Sequence, residues 1–466
     1  MKYITKIKFI SIIMASSILL SCEEFLEVDV PDNRIISSTV FNDRESAESA
    51  VQGLYNELST AYFAAGGPNS VSVLAGLSAD NLITTVTSQN LREFEENELT
   101  VQNPNNYEIW SSAYNLIYQT NSVLEGLANA SAINQEEIDR MRGEALFLRS
   151  FVYFYLVNLY GEVPLVLTTD YRQNSTLSSE EVQVLYNQIV NDLEEAKELL
   201  ASMPQNKLRA TSLTVKAFLA RVYLYLENYQ AAEIVSTDVI SNSTVTLEAN
   251  LDDVFLVNSS EAIWQISPES TGTGALHTRE GNFFILDGPP NSLNPVGLSS
   301  DFLEIYTNQD NRLQQWIASF NDDTGTYFYP FKYKVKYATT GEITEYTMVL
   351  RLAEQYLIRA EARANQGNSS GALTDLDVIR ERAQIPSIMN TNPNLPIPAI
   401  LDSIAVERRR ELFTEWGHRW MDLKRTDQAN EILDPKKSLW ESTDVLYPIA
   451  EEELMKNPNL EQNPGY

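Results

Sequence analysis

The chain has 466 residues, of which 64 are acidic and 34 are lysine or arginine, so its formal net charge at pH 7 is −30. Such an acidic surface repels phosphate backbones and anionic lipid headgroups. This argues against nucleic-acid binding and against membrane adhesion through protein charge. A hydrophobic content of 43% is enough for a buried core, and the length allows two or three domains or one large helical array.

The amino-terminal segment resembles an export signal. Lys2, Lys6 and Lys8 precede an apolar run at 9–20, which is too short to span a bilayer as a helix. A basic start, a short apolar core and a small residue before a break are typical of a secretory signal. The single cysteine of the chain, Cys22, directly follows Leu-Leu-Ser, an order that resembles the bacterial lipobox.

This order predicts cleavage after residue 21, so that 1–21 is a lipoprotein signal peptide and Cys22 carries the lipid. Each buried CH2 contributes about 0.8 kcal/mol to membrane binding, so several acyl chains would anchor the protein firmly. The alternative is an ordinary secretory signal with an incidental cysteine. The acidic, proline-containing stretch 23–38 is typical of a tether that leads to the first ordered element.

Helical spacing of apolar residues begins after the tether. Segments 45–58 and 107–127 have this spacing and are predicted helices. The intervening 62–102 is rich in Gly, Ser, Thr and Asn, and we predict a long irregular segment there; such ordered segments tend to carry function. Segment 143–160 is apolar on most sides, which predicts a helix buried between neighbours and ended by Gly161.

A repeat links several predicted helices. The stretches 145–153 and 217–225 share Ala, Arg, an aromatic residue and Tyr at matching positions. In 213–241 and 351–383, small residues recur with larger apolar or aromatic ones at helical spacing, as in tetratricopeptide helix pairs. These two segments are therefore predicted helical hairpins, which stack into an array together with a helix predicted at 182–200.

The region 242–343 is richer in turns. The sequence SEAIWQIS at 260–267 is a candidate strand. The stretch 326–338 alternates tyrosine and other apolar residues with lysine, which predicts a strand packed on one side. Beyond 398 the chain is predicted to be helical through Asp422 and irregular afterwards.

Four separated stretches together resemble the SusD/RagB family of outer-membrane nutrient-binding lipoproteins of Bacteroidetes. They are EALFLRSFVYFYLVNLYGEVPLV at 144–166, RLAEQYLIRAEARANQG at 351–367, ERRRELFTEWGHRWMDLKR at 407–425 and LYPIAEEELMKNPNLEQNPGY at 446–466. The sequence SCEEFLEVDVPD at 21–32 fits as well. The resemblance therefore covers nearly the whole chain after the predicted cleavage.

The resemblance implies a mainly α fold, in which tetratricopeptide-like helical hairpins form a right-handed array with a loop-rich region and a few short strands. The corresponding division is 22–225 and 226–466, the second part including a loop-rich insert at 242–343. The implied partner is a TonB-dependent SusC-like outer-membrane transporter, which the protein would cover as a ligand-capturing lid. In this family an acidic stretch after the lipidated cysteine accompanies display on the cell exterior, and Glu23 and Glu24 fit that pattern.

Charged residues in the third stretch have a structural interpretation. Glu407, Glu411 and Glu415 lie four residues apart on one helical stripe. The arginines available to pair with them or with neighbouring helices are Arg408, Arg409, Arg410 and Arg419. We predict an ion-pair network between helices, with an anion site as the alternative. The asparagine- and proline-rich 457–466 is predicted to close over the array as a strap.

The residue inventory argues against catalysis. His277 and His418 are the only histidines, and two distant histidines cannot make a histidine-rich zinc site. No G-x-S-x-G, Walker or EF-hand motif is present. We therefore predict no catalytic residues, no metal, no cofactor and no enzymatic activity. A hydrolase built on a carboxylate pair is a distant alternative, because carboxylates are numerous.

Binding requires only shape, aromatic faces and hydrogen bonds. Two ligand classes stay open: the resemblance favours oligosaccharides delivered to the transporter, and the same architecture serves oligopeptides in some relatives. Surface aromatic residues would favour a glycan, whereas backbone-pairing groups in a groove would favour a peptide. Segment 62–102 contains no tryptophan, which weakens a sugar platform there.

We place the ligand site where 62–102 meets 275–320, because both segments are turn-rich and lie outside the repeat. The candidate ligand-binding residues are Tyr62, Asp80, Asn81, His277, Arg279, Phe283, Phe284, Asp287 and Trp316. In an extended chain neighbouring side chains point to opposite sides, so only one of the two phenylalanines should face the ligand. The alternative is that these phenylalanines and Trp316 fill the core beneath a loop. The tyrosine stripe at 327–337 is expected to be structural.

Overall fold

The computed structural model of the protein describes residues 40–268 and 274–466. The signal peptide predicted at 1–21, the lipidation predicted at Cys22 and the tether at 23–38 lie outside these residues. The fold is 53% helical with few short strands, which confirms the predicted fold class. None of the helices in the described ranges is both long and apolar enough to span a membrane.

Helices dominate both described ranges. Those in the first range are α1 (Arg44–Thr60), α2 (Val71–Ser78), α3 (Gln89–Glu96), α4 (Pro104–Ala128), α5 (Gln135–Tyr160), α6 (Tyr171–Asn174), α7 (Val182–Leu199), α8 (Ser212–Tyr225) and α9 (Tyr229–Ile240). Those in the second range are α10 (Arg279–Phe284), α11 (Ser300–Leu303), α12 (Asn311–Gln315), α13 (Leu352–Asn365), α14 (Ser369–Arg382), α15 (Ile388–Thr391), α16 (Ile397–Glu411), α17 (His418–Arg425), α18 (Ala429–Leu433) and α19 (Glu451–Lys456).

The described strands pair as small antiparallel sheets. These are β1 (Leu82–Thr84) with β3 (Val296–Leu298), β2 (Ala262–Ile266) with β6 (Thr347–Arg351), and β4 (Ile317–Asp322) with β5 (Gly325–Pro330). Short 3-10 helices lie at Leu251–Asp253 and Ser442–Val445. The strand predicted within 260–267 is confirmed as β2.

The helical hairpins predicted at 213–241 and 351–383 are confirmed as α8–α9 and α13–α14. Helix α9 packs against α13, and so joins the two hairpins. Ala220, Ala232 and Ala362 are fully buried in this contact, where their small side chains let the helices approach closely. The division expected between 225 and 226 falls in the turn that joins α8 to α9.

The matching arginines of the repeat hold neighbouring helices together. Arg149 of α5 forms a two-pronged ion pair with Asp192 of α7, with N–O distances of 2.7 and 2.8 Å. Arg221 of α8 does the same with Glu354 of α13, at 2.6 and 2.7 Å. All four side chains are less than a tenth exposed, and the planar guanidinium satisfies both oxygens of each carboxylate.

Helix α5 is the centre of the main core, as its apolar sequence predicts. Phe147 and Phe151 each meet the ring of Trp264 edge-on, with centroids 4.9 and 5.0 Å apart. Phe154 meets Phe218 of α8 in the same way at 5.2 Å. Aromatic residues on several sides of one helix therefore tie β2 and α8 to it.

Segment 62–102 is more regular than its composition predicts. It contains α2, β1 and α3, so the prediction of one long irregular segment was wrong. Ser70 caps α2, and every residue of this short apolar helix is buried. A capped apolar run can therefore fold as a helix even when glycine and serine surround it.

The strand predicted at 326–338 is also only partly correct, because β5 ends at Pro330. Proline has no backbone N–H to continue the ladder. The helix predicted through Asp422 is likewise interrupted between α16 and α17, where Thr414 and Trp416 have φ angles of +54° and +47°. Short helices α18 and α19 follow where an irregular chain was expected.

A buried cluster of ion pairs joins α16 to the elements around it. Arg351 at the end of β6 is 1% exposed and donates to Glu411 (Nη1–Oε1, 2.6 Å) and Glu415 (Nε–Oε2, 2.8 Å). Arg312 of α12 is fully buried and pairs with Glu407 and Glu411, with N–O distances of 2.7 and 2.9 Å. These glutamates are therefore compensated by arginines from other elements. Glu415 lies beyond the end of α16, so the predicted helical stripe is correct only for Glu407 and Glu411.

The predicted ion-pair network is thus confirmed: Arg410 pairs with Glu407 at 3.6 Å, and Arg312 and Arg351 are additional partners that the sequence did not indicate. Two of the neighbouring arginines turn away from the glutamate stripe. Arg408 pairs with Asp422 at 2.8 Å, and Arg409 pairs with Asp80 at 3.1 Å. Each of these contacts holds a different element against α16.

The predicted strap at 457–466 is confirmed as a chain of side-chain bonds to distant backbone. Asn457 donates to the Leu177 carbonyl and Asn459 to the Thr176 carbonyl, both at 2.7 Å. The Asn463 amide donates to the Tyr160 carbonyl at 2.8 Å. Residues near the carboxyl end of the sequence therefore satisfy carbonyl groups of its first half.

We expect Glu411→Gln to lower the free energy of unfolding at pH 7 by about 3–5 kcal/mol, the usual cost of breaking a buried ion pair. Burial alone would raise the pKa of Glu411, but the charges of Arg382, Arg351 and Arg312 outweigh it and hold this pKa well below its usual range. The amide would leave these guanidinium groups with too little negative charge. Urea unfolding followed by circular dichroism measures the change.

The matched control is Glu96→Gln. Glu96 pairs with Arg92 at 2.5 Å, but the two side chains are 42% and 48% exposed. An exposed pair contributes at most about 1 kcal/mol. Equal losses in the two variants would show that the buried cluster does not stabilise the fold.

Candidate functional site

A cavity of about 850 Å³ lies where several separated stretches of the chain meet. They are the end of α1 with the loop that follows it, the end of β2, residues 275–294, residues 336–337 and the start of β6. The lining residues with polar side chains or aromatic rings are Ser59, Ser267, His277, Thr278, Arg279, Asn282, Phe283, Asp287, Asn291, Ser292, Asn294, Lys336, Tyr337 and Thr347. The volume lies within the range typical of small-ligand sites.

A glycine lets the loop after α1 approach α10. Gly66 has a φ of +73°, a conformation that other residues rarely adopt. A Cβ atom at this position would lie 2.3 Å from the carboxyl carbon of Glu280. Glycine at 66 therefore fixes how closely the loop and the short helix can come together beside the cavity.

Some side chains of the short helix α10 line the cavity, and the others pack away from it. Thr278 caps it by accepting a hydrogen bond from the Gly281 amide at 3.1 Å. Arg279 and Phe283 line the cavity, whereas Glu280 and Phe284 do not; of these two cavity-lining residues only Arg279 is partly exposed. The two phenylalanines were expected in an extended segment, and that prediction was wrong because they lie in a helix. The expectation that only one of them faces the ligand site is nevertheless met, because Phe283 lines the cavity and Phe284 does not.

A histidine and a tyrosine lie side by side at the cavity. The rings of His277 and Tyr337 have centroids 5.1 Å apart and are tilted by 40°. His277 Nδ1 lies 3.0 Å from both the amide nitrogen and the carbonyl oxygen of Ala338. The backbone of Ala338 therefore occupies Nδ1, and Nε2 is the ring nitrogen that His277 can offer to a ligand.

A lysine, an aspartate and an asparagine form a fixed polar group across the cavity. Lys336 Nζ pairs with Asp287 and donates to Asn294 Oδ1 at 3.2 Å. The Asn294 amide in turn donates to the Phe283 carbonyl at 2.7 Å. The hydrogen bond and the charge of Lys336 lower the pKa of Asp287, so this carboxylate stays ionised.

Glu280 lies beneath the cavity and is 5% exposed. It accepts a hydrogen bond from the Thr347 hydroxyl at 2.9 Å. Burial raises its pKa to about 7, because the hydrogen bond and the neighbouring Arg279 only partly offset the loss of hydration. The carboxyl group therefore holds a proton at mildly acidic pH.

The remaining candidate ligand-binding residues lie elsewhere. Trp316 is fully buried, and its Nε1–H donates to the Leu251 carbonyl at 3.0 Å. Phe284 is buried against Phe283, with ring centroids 5.2 Å apart. These two side chains occupy the core, which was the alternative considered for them. Tyr62 is 47% exposed but is not among the residues that line the cavity.

Asp80 and Asn81 are structural in this fold. Asp80 pairs with Arg419 at 2.9 Å and with Lys436 at 2.7 Å, and Asn81 accepts from Arg409 at 2.8 Å. Burial acts to raise the pKa of Asp80, but these cations hold it well below its usual range. Asp80 borders a separate, smaller cavity of about 360 Å³.

The cavity-lining residues that sequence reasoning missed include Asn282, Asn294, Lys336 and Tyr337. Tyr337 was assigned to a packed strand face, yet its side chain is 70% exposed. The proline at 330, which ends β5, was the available signal that residues beyond it leave the sheet. Within the described residues, no cluster of histidine, cysteine and carboxylate side chains is arranged to hold a metal ion.

Comparison with known proteins gives a consistent result. Residues 24–224 match the family model described as "Starch-binding associating with outer membrane", and residues 318–466 match that of the "SusD family". SusD-like protein P38 of Formosa agariphila is 25% identical to this chain, and the match covers 98% of both proteins.

Solved structures show the same fold. A SusD superfamily protein from Bacteroides vulgatus superposes with a TM-score of 0.80 at 21% identity, covering 92% of this chain and all of that one. A laminarin-binding SusD-like protein superposes with a TM-score of 0.76 at 23% identity, covering 91% of this chain and all of that one.

We expect Glu280→Gln to stabilise the protein at pH 8 relative to the parent, and to do so less at pH 5. The pKa of Glu280 rises from an ordinary 4.5 to about 7 on folding, so the folded state binds this proton more tightly. The stability it contributes is therefore complete below pH 4.5 and is lost as the pH rises through 7. Urea midpoints at the two pH values measure the difference.

The control for this prediction is Glu342→Gln, because Glu342 is exposed. Its effect should be small and similar at the two pH values. A Glu280→Gln variant whose stability relative to the parent does not depend on pH would contradict the raised pKa.

Proposed function

Because the chain belongs to the SusD/RagB family, which is associated with the outer membrane, we propose that it binds oligosaccharides and delivers them to a partner TonB-dependent outer-membrane transporter. The observation that carries the glycan assignment is the composition of the 850 Å³ cavity. An exposed tyrosine ring lies there beside side-chain amides, hydroxyls and a histidine. Aromatic faces stack on sugar rings while the polar groups meet their hydroxyls.

The ring available for stacking is that of Tyr337, which is 70% exposed, whereas Phe283 lines the cavity but is only 5% exposed. Hydroxyl-binding groups come from His277 Nε2 and from the amides of Asn282 and Asn291. The laminarin-binding relative of the same fold supports a glycan over a peptide ligand. A peptide groove would instead need a row of unpaired backbone groups.

We propose binding without catalysis. Asp287 is the only carboxylate among the described cavity-lining residues, and it is ion-paired with Lys336. A glycosidase general acid needs a raised pKa and a second carboxylate beside the scissile bond. The pKa of Asp287 is instead lowered, so this residue is suited to accepting hydrogen bonds from a bound sugar.

We propose that Cys22 carries the lipid anchor and that the protein faces the cell exterior. The support is the lipobox-like order before Cys22, the following Glu23 and Glu24, and the family's association with the outer membrane. A protein held at that surface would be placed to pass its ligand to a transporter in the same membrane.

We expect Tyr337→Ala to weaken oligosaccharide binding by about 1–3 kcal/mol, the usual contribution of one aromatic stacking partner. Calorimetry with laminarin, starch and xylan oligosaccharides identifies a ligand for the parent and then measures the variant. The control is Tyr171→Ala, because Tyr171 is also 70% exposed but does not line the cavity. Equal affinities for the parent and the Tyr337 variant would move the site elsewhere, and binding of casein peptides alone would favour the oligopeptide alternative.

We expect cells fed labelled palmitate to label the native protein but not Cys22→Ala, because the thiol is the acceptor of the lipid. Gentle detergent extraction of the labelled protein should recover a large β-barrel partner, whereas the variant should fractionate as a soluble protein. If the native protein takes up no label, the anchor assignment fails. If the labelled protein is extracted without a barrel, the transporter assignment fails.

A further inference from the structure

Arg279 is unlike the other arginines of the described residues. It is partly buried at the cavity, yet it forms no hydrogen bond, ion pair or ring contact with any described residue through its side chain. Most arginines in this part of the chain pair with a carboxylate. The other described arginine without an ion pair, Arg172, is on the surface and lies over the Tyr171 ring at 5.7 Å.

An unpaired guanidinium is unusual in a protein of this composition. The chain carries 64 acidic residues against 34 basic ones, so carboxylates are available almost everywhere on its surface. A partly buried guanidinium loses hydration, and pairing with an anion is the usual compensation. Arg279 therefore has an unused two-pronged donor that faces the space a ligand would occupy.

None of the described charged side chains around the cavity forms an ion pair with Arg279. Lys336 and Asp287 neutralise each other. Glu280, the carboxyl group next to Arg279 in the chain, points into the core, where it accepts from Thr347. His277 is not a source of negative charge. The described lining of the cavity is thus locally positive within a strongly acidic protein.

We propose that the cavity selects an anionic oligosaccharide, and that Arg279 binds the carboxylate of a uronic acid or the sulfate ester of a sulfated sugar. This inference rests on the proposed glycan-binding function and specifies its ligand class. The guanidinium fork matches two oxygens of either group. The aromatic ring of Tyr337 then stacks on the sugar ring that carries the charge or on the next one.

The test measures the affinity of the full-length mature protein for matched pairs of oligosaccharides. One pair is alginate oligosaccharides and their carboxyl-reduced product, and the other is carrageenan oligosaccharides and their desulfated product. We expect the parent to bind the charged member of one pair at least tenfold more tightly, and which pair shows this preference distinguishes carboxylate from sulfate. Added NaCl should weaken the preferred complex, because the pairing is electrostatic.

Variants assign the preference to Arg279. Arg279→Gln should reduce the charged-to-neutral affinity ratio to about one while leaving the thermal midpoint unchanged, and Arg279→Lys should retain part of the ratio. The control is Arg172→Gln, which should leave the ratio as in the parent. A ratio that persists in Arg279→Gln overturns the role of this residue.

The remaining outcomes separate this inference from the proposed function. If the parent binds the neutral members as tightly as the charged ones, the anionic ligand class is wrong while glycan binding stands. If it binds none of these glycans, nor the neutral laminarin, starch and xylan oligosaccharides, both the glycan-binding function and this inference fail.

Discussion

The buried ion pairs of Arg351 and Arg312 with the α16 glutamates are the constraint on which the rest of the fold depends. Four cationic side chains, those of Arg312, Lys332, Arg351 and Arg382, converge on Glu411, Glu415 and their neighbours. They come from α12, β6, α14 and the loop after β5, elements that are far apart in sequence. A charge in a protein interior is tolerated only with its partners in place, so these elements must arrive together.

This constraint acts directly on the candidate site. Arg351 ends β6, and Thr347 at the other end of the same strand lines the cavity and bonds to Glu280. Trp264 of the paired strand β2 is locked by the phenylalanines of α5. The sheet is therefore held by charge at the Arg351 end of β6 and by aromatic packing at the centre of β2. The loops at the opposite end of the sheet can carry a binding site without having to stabilise the fold.

The local features of the fold could be predicted from the sequence, because helix periodicity and capping act over a few residues. Such patterns predicted the α8–α9 and α13–α14 hairpins and the apolar helix α5. Asp80 shows the limit of this reasoning. Its carboxylate suited a ligand-binding role, but it forms ion pairs with Arg419 and Lys436, which are more than 300 positions away in the sequence. Four of the predicted site residues do line the cavity, because they belong to one segment of the chain: His277, Arg279, Phe283 and Asp287. Tyr337 was missed because the alternating sequence pattern continues past Pro330, whereas the strand itself ends there.

The strap at 457–466 has a consequence for the order of folding. The carbonyl groups of Tyr160 and Leu177 find their side-chain partners in Asn463 and Asn457, some 300 residues later in the chain. During synthesis from the amino end, the first half would therefore wait for these partners until nearly the whole chain has been made. Such long-range closure slows folding and favours an unfolded or chaperone-held state until synthesis is nearly complete. Under the proposed export of this protein, a fold that closes late is compatible with passage through a membrane as an open chain.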